Sequence, residues 1–205
     1  EREASRLPGT PIMAHCDLPL VNQDLTPHAP SFWAQSTLNP TDPASHKRLL
    51  LENFTPGCAT MGNRALAEKA LPIPDAAIMH DWWLALVAGY LGEIVTVNAP
   101  LILYRQHGTN AIGAQDWGLP SITQRFLNDP AKAISRTKRI LRLTPQQAQA
   151  FAERYLGNLD ASDAKRVEDL ANLPSMGLIA RKTYFSRSGM RPSSWLRTIV
   201  LWVFM

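Results

Sequence analysis

The sequence Ile78-Met79-His80-Asp81-Trp82-Trp83-Leu84-Ala85-Leu86-Val87 combines an acid, two tryptophans and an apolar run. Asp81 is a residue type that caps helix N-termini, so it predicts a helix from Trp82 to about Tyr90 that ends near Gly92. Neighbouring helix residues point about 100° apart, so we expect one indole to pack inside and the other to line a cleft. A carboxylate beside flat aromatic surfaces suits a carbohydrate site. The structural alternatives are a plain helix cap and two core or rim aromatics.

A second stretch, Tyr104-Arg105-Gln106-His107-Gly108, follows about two dozen residues later. It predicts a strand over 101–105 and then a loop that contains His107. A neutral imidazole there can ligate a divalent metal that holds a diphosphate, and Arg105 can contact phosphate oxygens. The alternatives are a hydrogen-bonded loop histidine and a solvated arginine at a strand end.

A third stretch, Pro56-Gly57-Cys58-Ala59, lies upstream of the helix predicted to begin at Trp82. Gly57 permits close approach of a ligand to the backbone, and a purely structural turn is the alternative. The chain contains no glycine-rich phosphate loop, no zinc-type cysteine spacing and no Ser-His-Asp elbow. These absences direct attention to the Gly57, Asp81 and His107 segments.

Composition indicates a globular protein with a mildly basic C-terminal third. The 205 residues are 45% hydrophobic and 19% charged, with a net charge of +4. Basic clusters at 132–142 and 181–197 favour an anionic partner such as a phospholipid surface, and we expect no nucleic-acid partner. A solvated helix face is the alternative for both clusters, and it is the favoured interpretation of the cluster at 132–142. The two cysteines do not form a disulfide framework, which suggests reduced thiols in the cytoplasm.

The order of predicted elements is mixed α/β up to about residue 118 and helical from 119 to 205. We expect strands near 11–15, 94–97 and 101–105, and helices near 64–70, 82–90, 121–128, 130–143, 144–157 and 162–173. The signal Thr144-Pro145-Gln146-Gln147 predicts a helix start. The segment 193–205 is too short to span a bilayer, and its tryptophans and arginines suit a membrane-interfacial helix. A helix packed on the domain, or a truncated span, is the alternative.

Three motifs in this order carry a family resemblance. They are the segment 53–66, Met79-His80-Asp81-Trp82-Trp83, and 104–110. Together they resemble family 2 glycosyltransferases, in the branch that resembles bacterial rhamnosyltransferases of surface polysaccharide assembly. The likeness covers about residues 10–115 well and the helical tail loosely.

The resemblance implies a GT-A fold, an α/β/α sandwich of which residues 1–118 would be the C-terminal part. It implies an inverting transfer of a sugar such as rhamnose from a nucleotide diphosphate sugar to a glycan acceptor. We expect this acceptor to be lipid-linked and the enzyme to lie at the inner face of the cell membrane. It also implies that Asp81 is the catalytic base and that His107 ligates Mg²⁺ or Mn²⁺. The substrate pocket would be lined by Gly57, Cys58, Trp82, Trp83 and Arg105.

Two departures from the family's pattern accompany the resemblance. The family's Asp-x-Asp motif has no match here, so we expect an N-terminal half that precedes Glu1, and Pro56 stands where relatives usually have Thr. A non-catalytic carbohydrate-binding or membrane-tethering fragment is therefore the rival hypothesis. A sugar hydrolase would require a second carboxylate about 5–10 Å from Asp81, and the sequence suggests none.

Overall fold

The computed structural model describes residues 8–42, 45–107, 128–187, 192–193 and 195–204, which form a mixed α/β structure. The described residues contain six short strands: β1 (Ile12–Cys16), β2 (Leu20–Val21), β3 (Pro27–Ala29), β4 (Thr60–Gly62), β5 (Glu93–Val97) and β6 (Tyr104–Arg105). The α/β class predicted from the sequence is confirmed at this level. The strands predicted near residues 11–15 and 94–97 are present, whereas the one predicted over 101–105 is reduced to two residues.

The first sheet has the strand order β4-β1-β5, with β1 in its centre. Strand β1 runs antiparallel to β4, pairing Met13 with Gly62, and parallel to β5, pairing Met13 with Ile94. The link into β5 is tight at Gly92, where an added Cβ would lie 1.9 Å from the carbonyl oxygen of Pro11. Only glycine fits this close approach between backbones, which fixes where β5 begins beside β1.

The second sheet has the order β3-β2-β6 and mirrors the mixed pairing of the first. Strand β2 is antiparallel to β3 and parallel to β6, with Leu20 opposite Tyr104 and Val21 opposite Arg105. The Gln106 N–H donates to the Val21 carbonyl 2.7 Å away, which carries the pairing one residue beyond β6. The segment that leads to His107 is thus positioned by the second sheet.

The described residues form eight α-helices: α1 (Phe32–Gln35), α2 (Ser45–Arg48), α3 (Arg64–Ala70), α4 (His80–Leu91), α5 (Pro130–Tyr155), α6 (Ala161–Ala171), α7 (Leu178–Arg187) and α8 (Trp195–Phe204). Three 3-10 turns lie at Gly57–Ala59, Leu156–Asn158 and Leu173–Ser175. The helix predicted over 64–70 is confirmed, and the Asn63 side chain caps it by accepting from the Leu66 N–H at 2.9 Å. The helix predicted over 121–128 falls almost entirely outside the described residues.

Two predicted helix boundaries are wrong. Helix α4 begins at His80 with Met79 as its N-cap, so Asp81 lies inside the first turn and is not the cap. Helix α5 runs without interruption through Pro145, where the sequence signal predicted a new start. The Thr144 hydroxyl donates to the Ile140 carbonyl 3.1 Å away, and packing of the second half of α5 into the core outweighs the lost backbone hydrogen bond.

The end of α3 is held by side chains from two other helices. The Trp83 indole N–H donates to the Ala70 carbonyl at 3.0 Å, and the Tyr155 hydroxyl donates to the Lys69 carbonyl at 2.6 Å. The Arg154 guanidinium donates to the carbonyls of Ala70 and Pro72 at 3.2 and 2.8 Å. The last carbonyls of a helix lack intrahelical donors, so these bonds satisfy them and lock α3, α4 and α5 together.

A single hydrophobic core joins elements on both sides of the boundary predicted at residue 118. Trp83 of α4 packs edge-on against Phe151 of α5, with ring centroids 5.8 Å apart. Val167 and Leu170 of α6 and Phe185 of α7 belong to the same buried cluster. The later helices are therefore part of the core that supports α4, and the predicted boundary does not separate two cores.

His15 is a buried imidazole in β1 with incomplete hydrogen bonding. Its ring is 2% exposed and lies 5.2 Å from the Trp33 ring and 5.7 Å from the Phe54 ring, centroid to centroid. Its Nε2 lies 3.2 Å from the Thr96 hydroxyl, whereas its Nδ1 has no hydrogen-bond partner in the described part of the chain. Burial lowers the pKa of His15 to about 4, although Asp17 opposes the shift.

This burial makes the stability of the fold dependent on pH. The pKa of His15 is about 4 in the folded protein and about 6.5 for an unperturbed imidazole, so the unfolded chain binds the proton more tightly. We expect the contribution of His15 to the free energy of unfolding to be constant above about pH 7. This contribution should decrease by roughly 3 kcal/mol between pH 6.5 and 4. Urea unfolding of the wild type and of His15→Gln across this pH range measures the decrease. Equal pH slopes for the two proteins would contradict the assignment.

Candidate functional site

Asp81 lies in the first turn of α4, and its carboxylate accepts hydrogen bonds from two backbone N–H groups, one in α4 and one in the 3-10 turn at Gly57. Its Oδ1 accepts from the Trp82 N–H at 2.7 Å, and its Oδ2 accepts from the Gly57 N–H at 2.8 Å. The residue is 8% exposed. The N-terminal end of a helix favours negative charge, so this position stabilises an oriented carboxylate. Each oxygen keeps a lone pair that is not used by these two bonds.

Gly57 packs closely against Asp81 and His80. A Cβ added at Gly57 would lie 2.9 Å from Asp81 Oδ2 and 3.1 Å from His80 Nε2. Because both atoms lie so close to one point, they are at most the sum of these distances, 6.0 Å, apart. The two side chains are therefore near neighbours on this side of Gly57. The exposed His80 is a site neighbour to which the sequence analysis gave no role, and its adjacency to Asp81 was the available signal.

Cys58 is an exposed free thiol on the same 3-10 turn as Gly57. Desolvation raises the pKa of the Cys58 thiol above its usual value, and the nearby Asp81 carboxylate adds to the rise. The thiol is therefore protonated near neutral pH, and reactive cysteines have the opposite shift. Cys58 can serve as part of the site wall, as the sequence predicted, and is not suited to act as a nucleophile.

Trp82 and Trp83 are both buried, so the prediction that one of them lines an open cleft is wrong. Their exposed fractions are 4% and 0%. The Trp82 indole N–H donates to the Leu49 carbonyl, and the Trp83 indole N–H to the Ala70 carbonyl. Each indole has a distant backbone acceptor, which explains how two adjacent residues can both be internal. Their structural contribution is to fix the first turn of α4, and hence Asp81.

Arg105 and His107 lie on the other sheet, in β6 and just beyond it, and both are exposed. Asp81, Gly57, Cys58 and His80 are brought together where α4 begins. The structure thus places the predicted site residues in two groups, one at the start of α4 and one at the end of β6. Residues 108–110, the end of the third motif, lie outside the described residues.

The residues that the structure describes do not assemble a metal site. Within those ranges, no three side chains of His, Cys, Asp or Glu form a group that could hold a metal ion. His107 can supply one imidazole ligand, and a bound metal ordinarily takes three or more protein ligands or shares its remaining positions with a substrate. The described part of the chain does not by itself fit a resident Mg²⁺ or Mn²⁺.

Comparisons with known proteins give no match at the level of family, sequence or fold. No protein-family model, curated protein or solved structure matches the chain significantly. The family resemblance of the three motifs therefore enters the functional argument as a hypothesis.

The contact at Gly57 gives a direct test of the site geometry. We expect Gly57→Ala to destabilise the fold by roughly 1–3 kcal/mol, because the new methyl group would displace the Asp81 carboxylate. Gly157→Ala is the matched control, since an added Cβ there meets nothing within 4 Å. Urea unfolding of both variants measures the difference. A Gly57→Ala variant as stable as the control would show that the site is looser than described.

Proposed function

We propose that the chain is part of an inverting glycosyltransferase of the family 2 type, with a GT-A fold. It would transfer a sugar such as rhamnose from a nucleotide diphosphate sugar to a glycan acceptor, for which we propose a lipid-linked polysaccharide. The observation that carries the proposal is the Asp81 carboxylate, which accepts hydrogen bonds from the backbone N–H groups of Trp82 and Gly57. The order of the three sequence motifs supports the same proposal.

The geometry around Asp81 suits proton abstraction from a hydroxyl group. A catalytic base must be held within hydrogen-bond reach of the proton that it removes. The two backbone donors fix the direction of the carboxylate, and each of its oxygens keeps a lone pair that could accept the proton of an acceptor hydroxyl. His80 Nε2, at most 6.0 Å from Asp81 Oδ2, is a second polar group near the proposed base.

In the proposed reaction one bond forms at the anomeric carbon as another breaks. The acceptor oxygen attacks this carbon from the face opposite the diphosphate, and its proton passes to the Asp81 carboxylate. The bond from carbon to phosphate oxygen breaks, and its electron pair leaves with the nucleoside diphosphate. The configuration at the carbon inverts, and the protonated Asp81 then releases its proton to solvent.

Arg105 and His107 would act on the donor side in this proposal. Arg105 is exposed at the end of β6 and is suited to bind phosphate oxygens. His107 would contribute one ligand to a Mg²⁺ or Mn²⁺ ion on the diphosphate, where a cation stabilises the negative charge of the leaving group. Further ligands would have to come from substrate or from residues outside the described ranges.

A non-catalytic carbohydrate-binding or membrane-tethering fragment is the second candidate. The lack of a metal-ligand cluster among the described residues favours this candidate over a metal-dependent transferase, whereas the burial of Trp82 and Trp83 disfavours sugar stacking in either candidate. Release of nucleoside diphosphate by the full-length protein, in the presence of donor and acceptor, separates the two candidates.

Asp81→Asn tests the catalytic assignment. The amide keeps one oxygen that can accept a backbone hydrogen bond but cannot take up the acceptor's proton. In the full-length protein we expect turnover to fall by about 10²-fold or more while the donor Kd stays nearly unchanged. Initial rates and calorimetric donor binding measure the two quantities. Asp75→Asn, an exposed acid in the segment before α4, is the control, and near-normal turnover of Asp81→Asn would remove Asp81 from its role.

His107→Ala tests the proposed metal ligand. We expect the midpoint of Mn²⁺ titrations in the full-length protein with bound nucleoside diphosphate to rise by about tenfold or more, as measured by calorimetry and by activation of turnover. His28→Ala is the matched control, because His28 is an exposed histidine in β3 of the same sheet. An unchanged titration for His107→Ala would exclude His107 as a ligand.

A further inference from the structure

Six apolar side chains on the last two helices are exposed to solvent and define one surface, named here the docking surface. Their exposed fractions range from 47% for Trp202 to 84% for Ile179. The members are Leu178 and Ile179 of α7 and Trp195, Ile199, Trp202 and Val203 of α8. Single exposed apolar residues are common in soluble proteins, whereas a contiguous group indicates a binding surface.

The exposed residues of α8 form one stripe along the helix. At about 100° of rotation per residue, Trp195, Ile199, Trp202 and Val203 fall within an arc of about 100°. Leu201 projects from another side and packs against the core, and α8 contacts α5. Helix α8 is therefore attached to the body of the protein by one face and presents its aromatic face outward.

Helix α7 joins this surface through a cation–π contact. The Lys182 ammonium lies over the Trp202 ring, 4.1 Å from its centroid. Lys182 follows the exposed Leu178 and Ile179 by one helical turn, so these three residues share a face of α7. The contact brings the apolar first turn of α7 beside the tryptophan stripe of α8, which sequence alone did not predict.

The charge of this region has one sign. The segment 177–205 contains five basic residues and no Asp or Glu: Arg181, Lys182, Arg187, Arg191 and Arg197. An apolar face with tryptophans, accompanied by basic residues, is the composition of helices that lie in the headgroup region of anionic membranes. None of the helices in the described ranges is long and apolar enough to cross a bilayer.

We propose that the docking surface binds an anionic phospholipid bilayer, with α8 in the plane of the headgroups and the first turn of α7 inserted beside it. A symmetric contact with a second copy of the chain would place the same basic segment against itself, and like charges would oppose that contact. A lipid surface supplies the opposite charge and an apolar layer together. The proposal does not depend on sugar transfer at Asp81.

Vesicle co-sedimentation of the full-length protein tests the proposal. The probes are vesicles of phosphatidylcholine alone and of phosphatidylcholine mixed with phosphatidylglycerol. We expect binding to the mixed vesicles, weakened by added salt. The double variant Leu178→Glu/Ile179→Glu should bind at least about tenfold more weakly, because two apolar contacts are lost and two negative charges face the lipid.

The matched control is Leu101→Glu/Leu103→Glu, which adds the same charge at two exposed leucines that lie just before β6 and belong to neither α7 nor α8. Leu101 and Leu178 have similar exposed fractions, 70% and 66%. This control should bind vesicles like the wild type, and Trp202→Glu should repeat the loss seen for the α7 variant. Equal binding of both double variants would overturn the proposal. So would sedimentation velocity that shows a wild-type dimer broken by Leu178→Glu/Ile179→Glu, with vesicle binding unchanged.

Discussion

The structure depends on hydrogen-bond donors at the end of α3. The carbonyl groups of Lys69, Ala70 and Pro72 receive donors from Trp83, Arg154 and Tyr155, which belong to α4 and α5. Ala70 is fully buried, and a buried carbonyl without a donor costs about 1–3 kcal/mol, whereas each bond contributes about 1 kcal/mol net. The penalty for breaking this arrangement therefore exceeds the gain from making it. The same side chains also form the aromatic core, since Arg154 lies 5.4 Å from the Trp83 ring centroid, so one cluster specifies how three helices meet.

This arrangement determines the chemistry at the start of α4. The Trp82 and Trp83 indoles donate to the carbonyls of Leu49 and Ala70, which belong to different parts of the chain. Because both indoles are anchored, the first turn of α4 has little freedom to rotate. Asp81 is consequently fixed, and Gly57 can approach it closely enough to donate a hydrogen bond at 2.8 Å. The two tryptophans therefore contribute to the candidate site by fixing the position of Asp81. The sequence had instead predicted that one of them would contact a sugar.

Features governed by local chemistry were predictable from the sequence. The Asn63 cap and the start of α3 follow from side-chain hydrogen bonds within one turn. The run of β-branched residues in β5 likewise predicts a strand. Features that need a distant partner were not predictable. The Trp82 and Trp83 acceptors lie 33 and 13 residues away in sequence, and Pro145 is accommodated because Gln147 and Phe151 bind elements far upstream. Similarly, no local pattern shows that His15 faces two aromatic rings.

Helices α4 and α8 illustrate how similar composition leads to different roles. Both are rich in apolar residues and contain two tryptophans, yet seven residues of α4 are buried whereas the tryptophans of α8 remain exposed. A helix that is apolar on all sides is normally buried in a protein core or in lipid. Helix α4 satisfies this rule because α3, α5 and the first sheet surround it. Among the described residues, helix α8 packs against α5 through one side. Its exposed apolar face has an unfavourable hydration free energy in water, which burial in the apolar layer of a bilayer would remove.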